Sequence, residues 1–128
     1  IAQGIADSGD IDVRSYDMVT ADAAKVQEEL QFADGMLFGT PTIIAEALRP
    51  IWDLTLGMFS VTHGGKYAGA FGSYGWSGEA VPNLTARMQQ LRLSLPLEGM
   101  RVRFCPTQED LAAAVQFGRD FAKAVRGE

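Results

Sequence analysis

Residues 71–79 read Phe71-Gly72-Ser73-Tyr74-Gly75-Trp76-Ser77-Gly78-Glu79. A short run of small and apolar residues, Tyr67-Ala68-Gly69-Ala70-Phe71, leads into them, and an amphipathic stretch follows. This wording predicts a strand that stops, a tight loop, and a helix that starts. In an open α/β sheet such a loop lies at the carboxyl end of a strand, where ligands bind. Its glycines allow backbone to approach a ligand closely. Tyr74 and Trp76 offer flat faces with a polar edge, which suits a flat heteroaromatic ring. The plain alternative is a loop that uses glycine to turn and aromatics to cover the sheet end.

Working back from this loop, Gly35-Met36-Leu37-Phe38 is short and apolar throughout, as a buried central strand would be. It runs into a second loop, Gly39-Thr40-Pro41-Thr42-Ile43. The segments 11–18 and 100–105 instead alternate apolar and polar residues, which predicts edge strands. Helices are expected at about 22–32, 49–59, 78–93 and from Thr107 onward. The third has Val81, Leu84, Met88 and Leu91 on its buried face, and Thr107 with Asp110 resembles a capping box. Ile1, Ala2, Ile5 and Ala6 have the spacing of a helix that ends at Ser8-Gly9.

A helix between each pair of strands implies crossover connections and a parallel sheet. The expected fold is α/β, a doubly wound parallel sheet of order 2-1-3-4-5 in three α/β/α layers. A strand before the opening helix would complete it, so the chain reads as an N-terminally incomplete domain, residues 1–128, of a larger polypeptide. In a parallel sheet the two loops lie side by side. They would form one shelf, with hydroxyls from Thr40, Thr42 and Ser73, exposed N–H groups, and two aromatics. Pro41 stiffens its loop before a ligand arrives.

Composition narrows the chemistry. With 47% hydrophobic residues the chain has material for a core, and a formal net charge of -5 argues against non-specific nucleic-acid binding. There is one cysteine, Cys105, so no intrachain disulfide; this fits a reducing, cytoplasmic setting. One histidine, His63, cannot assemble a His/Cys metal cluster, and no nucleophile–base pair is visible, so no catalytic and no metal-ligating residues are assigned. No apolar run is long enough to span a membrane. His63 is expected to be a solvated loop residue, Cys105 a small packing residue, Trp52 a packing aromatic, and Arg101 and Arg103 solvated charges on a sheet face.

Gly39-Thr40-Pro41-Thr42, Ala47-Leu48-Arg49-Pro50-Ile51-Trp52-Asp53 and Ala70-Phe71-Gly72-Ser73-Tyr74-Gly75-Trp76-Ser77-Gly78-Glu79-Ala80 together resemble the flavodoxin-like domain of flavodiiron proteins, the A-type or diflavin flavoproteins. The likeness extends to Arg101-Val102-Arg103-Phe104 and Pro106-Thr107. The string from Ser73 to Ala80 is fairly specific, whereas Gly-Thr-Pro-Thr is shared by many flavodoxin-like folds. The resemblance implies the cofactor FMN. It implies a ring held between Thr40, Pro41, Thr42 and Ile43 on one side and Ser73, Tyr74, Gly75, Trp76 and Gly78 on the other, with a loop peptide hydrogen-bonded to the flavin N5. The family often has Ser where Thr40 stands and Asn near Ile43 or Ile44. It binds the FMN phosphate with a Ser/Thr-rich loop after the first strand, at a helix N-terminus. The present sequence starts after that position, and a domain without the loop would hold FMN weakly.

The implied function is an electron-transfer domain of an oxidoreductase. Its flavin would relay electrons to a di-iron centre on another domain of the same polypeptide, or on a second subunit, for oxygen or nitric oxide reduction. The implied partners are an electron-donor reductase or rubredoxin-like protein, and further copies of the chain in a homo-oligomer, with no nucleic acid and no membrane. Two alternatives stand beside it: a stand-alone flavodoxin or flavin-dependent quinone reductase, and a cofactor-free protein-interaction domain.

Overall fold

The computed structural model describes residues 1–128. Strand β1 is Gly35–Gly39, β2 Thr42–Ile43, β3 Glu46–Ala47, β4 Tyr67–Tyr74 and β5 Met100–Arg103. Helix α1 is Ala2–Asp7, α2 Ala23–Phe32, α3 Arg49–Leu56, α4 Ser60–His63, α5 Ala80–Gln90 and α6 Gln108–Val125. The main sheet has the order β1-β4-β5 and is parallel throughout. Gly39 pairs with Phe71, and Tyr74 with Arg103, so β1 and β5 flank β4 on its two sides.

Period-two side-chain direction divides the strands between two cores. Met36 and Phe38 of β1 and Ala68 and Ala70 of β4 point into a large cluster with Val26, Leu54, Met58, Val81, Leu84 and Met88. Leu37 and Tyr67 face the other way, onto Ile5, Phe121 and Ala122. Helices α2, α3 and α5 thus cover one face and α1 with α6 the other, the expected three-layer arrangement. Leu84 and Met88 are wholly buried, each contributing roughly 1.5–3 kcal/mol of apolar burial. The capping box of α6 is present: Thr107 accepts from the Asp110 N–H, and Asp110 accepts from the Thr107 N–H.

Several expectations need correction. Segment 11–18 is not a strand. Ile11 and Val13 do pack against the smaller cluster, so their alternation reports burial. A ladder also needs a backbone partner, and none of this chain's strands lies beside them. For the same reason β1 is an edge of the sheet in this chain, not a central strand, and its burial alternates along its length. Strand β4 runs on through Ser73 and Tyr74, which pair with Val102 and Arg103. The second of the expected helices stops at Leu56, and residues 60–63 form a separate turn of helix.

His63 is buried, not solvated. Its Nδ1 lies 3.2 Å from the Phe59 N–H nitrogen and 2.8 Å from the Thr62 hydroxyl, so local bonds replace water at that nitrogen, while Nε2 is buried without a partner. Cys105 is exposed, because β5 ends at Arg103 and the chain has already turned away. On α6 the inward aromatic is Phe121, while Leu111 is 47% exposed.

Candidate functional site

Both loops stand at the carboxyl end of the parallel sheet, and they are tied together. Thr40 leaves β1 by donating its N–H to the Phe71 carbonyl at 3.1 Å. Its side chain is buried: the hydroxyl donates to the Pro41 carbonyl and accepts from the Leu48 N–H, both at 3.0 Å. That hydroxyl closes the base of a small hairpin, with β2 antiparallel to β3. Thr42, half-buried on the hairpin, accepts from the N–H of Ala80, the first residue of α5, at 3.2 Å. Asn83, one turn further along α5, donates to the Ala45 carbonyl at 3.3 Å and to Glu46 at 3.0 Å.

The hairpin turns on Ile44 and Ala45, whose φ angles are 51° and 61°. Two consecutive positive φ values are the signature of a two-residue primed turn, a place for Asn-Gly; the β-branched Ile44 is strained there. Nothing in the local sequence marks it as a turn, so the hairpin is absent from the sequence-based expectation. Close approach fixes one glycine: a Cβ on Gly72 would overlap the Thr40 carbonyl oxygen.

The second loop supplies donors. The N–H groups of Gly75, Trp76, Ser77, Gly78 and Glu79 make no hydrogen bond within the protein. This is five consecutive free donors, although Gly78 itself is buried. A buried backbone donor is normally paired, so the N–H of Gly78, the one buried residue of the five, is suited to an acceptor brought by something else. One carboxylate oxygen of Glu79, Oε2, is also buried without a donor. Trp76 is 96% exposed and Ile44 94%, so the rim is apolar as well as donor-rich. Tyr74 is half-buried, with the Arg101 guanidinium 5.8 Å from its ring centre, and Ser73 is exposed. Ile43 is half-exposed at the hairpin and Pro41 is exposed.

The nine residues singled out in the sequence therefore fall on two neighbouring loops and the end of β4. Sequence reasoning passed over Asn83, which ties the hairpin to α5, and the buried oxygen of Glu79. A Ser-Gly-Glu turn entering a helix was the available signal for Glu79. The site is an open shelf. Concavities of about 430 and 450 Å³ lie elsewhere: one is lined by Asp34, Gly65 and Lys66 among others, the other by Gln27 and Asp53 between α2 and α3. Neither includes a residue of the two loops. No group of three His, Cys, Asp or Glu side chains is placed to hold a metal ion, and no helix is long and apolar enough to cross a membrane.

A flavin ring fits this donor set. Its carbonyl oxygens and ring nitrogens could accept from free N–H groups such as those of residues 75–79, and its single ring N–H could serve a buried carboxylate oxygen such as that of Glu79. The exposed aromatic face of Trp76 suits its tricyclic plane.

No family model matches the chain. It is 39% identical over 126 residues to flavo-diiron protein FprA2 of Clostridium acetobutylicum, covering 98% of this chain and 32% of that protein. Its fold is similar to the Flv1 flavodiiron core of Synechocystis, with a TM-score of 0.88, 32% identity, and coverage of 98% of this chain and 31% of that one. It is also similar to a flavodoxin from the domain Archaea, with a TM-score of 0.83, 27% identity, and coverage of 98% and 85%. The chain thus spans about a third of the length of the curated relatives it matches first.

Proposed function

We propose that this chain is the flavodoxin-like segment of a flavodiiron-type protein, an FMN-binding electron-transfer domain of a larger oxidoreductase. The observation that carries the reading is the run of free N–H donors at 75–79, bonded through Ala80 and Asn83 to the hairpin beside it. Bound FMN supplies one- and two-electron chemistry; the protein supplies position and electrostatics. Thr40 and Pro41 hold the hairpin in shape. Thr42 locks it to α5. Ile43 and Trp76 contribute apolar contact, while Ser73, Tyr74, Gly75 and Gly78 form the facing wall. A loop N–H bonded to the flavin N5 belongs to this reading.

In the parent protein the bound group would supply electrons for a di-iron centre on another domain or subunit, for oxygen or nitric oxide reduction. Further proposals are that a reductase or rubredoxin-like protein feeds it and that the parent is a cytoplasmic homo-oligomer. The similarity to an archaeal flavodoxin of nearly the same extent supports a second reading, a stand-alone electron carrier.

The test is to load the full-length parent protein with FMN, pass it through gel filtration, and record its visible spectrum before and after dithionite. Co-eluting flavin absorbance that bleaches on reduction is expected. Colourless protein after saturating FMN overturns the reading.

A further inference from the structure

Arg101 projects from the exposed side of β5 and makes no ion pair, although the chain carries a net charge of -5 and forms five salt bridges elsewhere. Its contacts are with the ligand wall. Its Cδ lies 3.1 Å from the place a Cβ on Gly78 would occupy, as does Cδ1 of Tyr74. Its guanidinium carbon stands 5.8 Å from the centre of the Tyr74 ring. The stem thus packs against the loop and the head lies over the aromatic, an arrangement that a planar cation favours. Arg103, two residues on, lies instead over Phe104 at 5.5 Å, whose ring in turn packs on Gly75 of the same loop.

We infer that Arg101 is a positioning residue that fixes the Tyr74–Gly78 wall and brings to it a permanent positive charge, favouring the reduced form of the bound flavin over the oxidised form. This rests on the FMN reading above and adds a control of potential to it. Reduction of the ring by two electrons with uptake of one proton leaves it one unit more negative. A guanidinium cannot lose its charge near neutral pH, so its attraction is present in both states and stronger for the anion. For one unit charge at several ångströms near the surface, the affinity ratio between the two forms should change about three- to tenfold.

The experiment uses the FMN-loaded protein, with dithionite as reductant. It measures the dissociation constant of oxidised FMN and the two-electron midpoint potential against a reference dye. Arg101→Gln should weaken the binding of reduced FMN relative to oxidised FMN by three- to tenfold; tenfold is about 30 mV for a two-electron couple. Arg101→Lys should keep the wild-type ratio, and Arg92→Gln, beside Gly65 at the opposite end of the sheet, should leave it unchanged. In wild type the ratio should fall as salt rises, since an exposed charge is screened. The inference is overturned if Arg101→Gln leaves the ratio within twofold, or if Arg101→Lys moves it equally far; packing alone would then be the role. A wild-type full-length parent protein that binds no FMN overturns the function itself, an outcome distinct from bound flavin whose potential ignores residue 101.

Discussion

The side-chain oxygen of Thr42 accepts a hydrogen bond from the backbone N–H of Ala80 at 3.2 Å, across 38 residues of sequence. One bond therefore joins the hairpin after β1 to the first turn of the helix after β4. The first N–H groups of a helix need a partner from outside it, and here the partner is the neighbouring loop. The two walls of the shelf are consequently one structural unit.

Thr42→Val keeps the shape and removes the acceptor. Stability should fall by about 1 kcal/mol, measured by urea unfolding. The FMN dissociation constant should rise about fivefold, which corresponds to roughly 1 kcal/mol. Unchanged affinity with reduced stability would show that the hairpin is not part of the binding wall.

Gly72→Ala should be more costly. The new methyl group would overlap the Thr40 carbonyl oxygen, which is backbone and cannot rotate away. A loss of about 1–3 kcal/mol is expected in the same unfolding measurement, the usual range for overpacking. A neutral substitution would show that the β1–β4 approach is looser than described.

The turn at Ile44 and Ala45 predicts an effect of the opposite sign. Both residues have positive φ, where side chains are disfavoured and an Asn-Gly pair is preferred. The double substitution Ile44→Asn with Ala45→Gly should stabilise the protein by about 1 kcal/mol, seen as a higher thermal midpoint. A lowered midpoint would mean that the exposed Ile44 side chain makes a contact worth more than the strain.

Stability in acid should depend on Glu29. The Tyr16 hydroxyl donates to it and Arg14 bonds to it at 3.0 Å, which holds its carboxylate below the ordinary range. A carboxylate with a depressed folded-state pKa contributes stability that is complete above its unfolded-state value and is lost as pH falls through the folded one. Glu29→Gln should therefore flatten the acid limb of the pH–stability curve without changing the fold. An identical limb in the variant would contradict this, and would show that segment 11–18 is not pinned to α2 through these bonds.

Much of the architecture was legible because apolar spacing reports burial directly. Val81, Leu84, Met88 and Leu91 fall where a period of 3.6 puts them, and all four are buried. The order of β1, β4 and β5 follows from helices separating apolar runs. What spacing does not report is partnership. Ile11 and Val13 alternate and are partly buried, yet no strand lies beside them. His63 reads as polar and therefore solvated, but bonds to Phe59 and Thr62 let it be buried. The free N–H groups of 75–79 are a property of what the folded chain does not place opposite them, and no local pattern encodes that. The glycine-rich loop led to the expectation of exposed N–H groups, but not to which residues carry them.

The most direct test follows backbone amide resonances while FMN is added. The amides of Gly75, Trp76, Ser77, Gly78 and Glu79 should shift together, with those of Thr42 and Ala80, while Gly64, Gly65 and Lys66 at the opposite end of the sheet stay in place. Shifts centred on Gly65 and Lys66, or none at 75–79 at saturating FMN, would contradict the account.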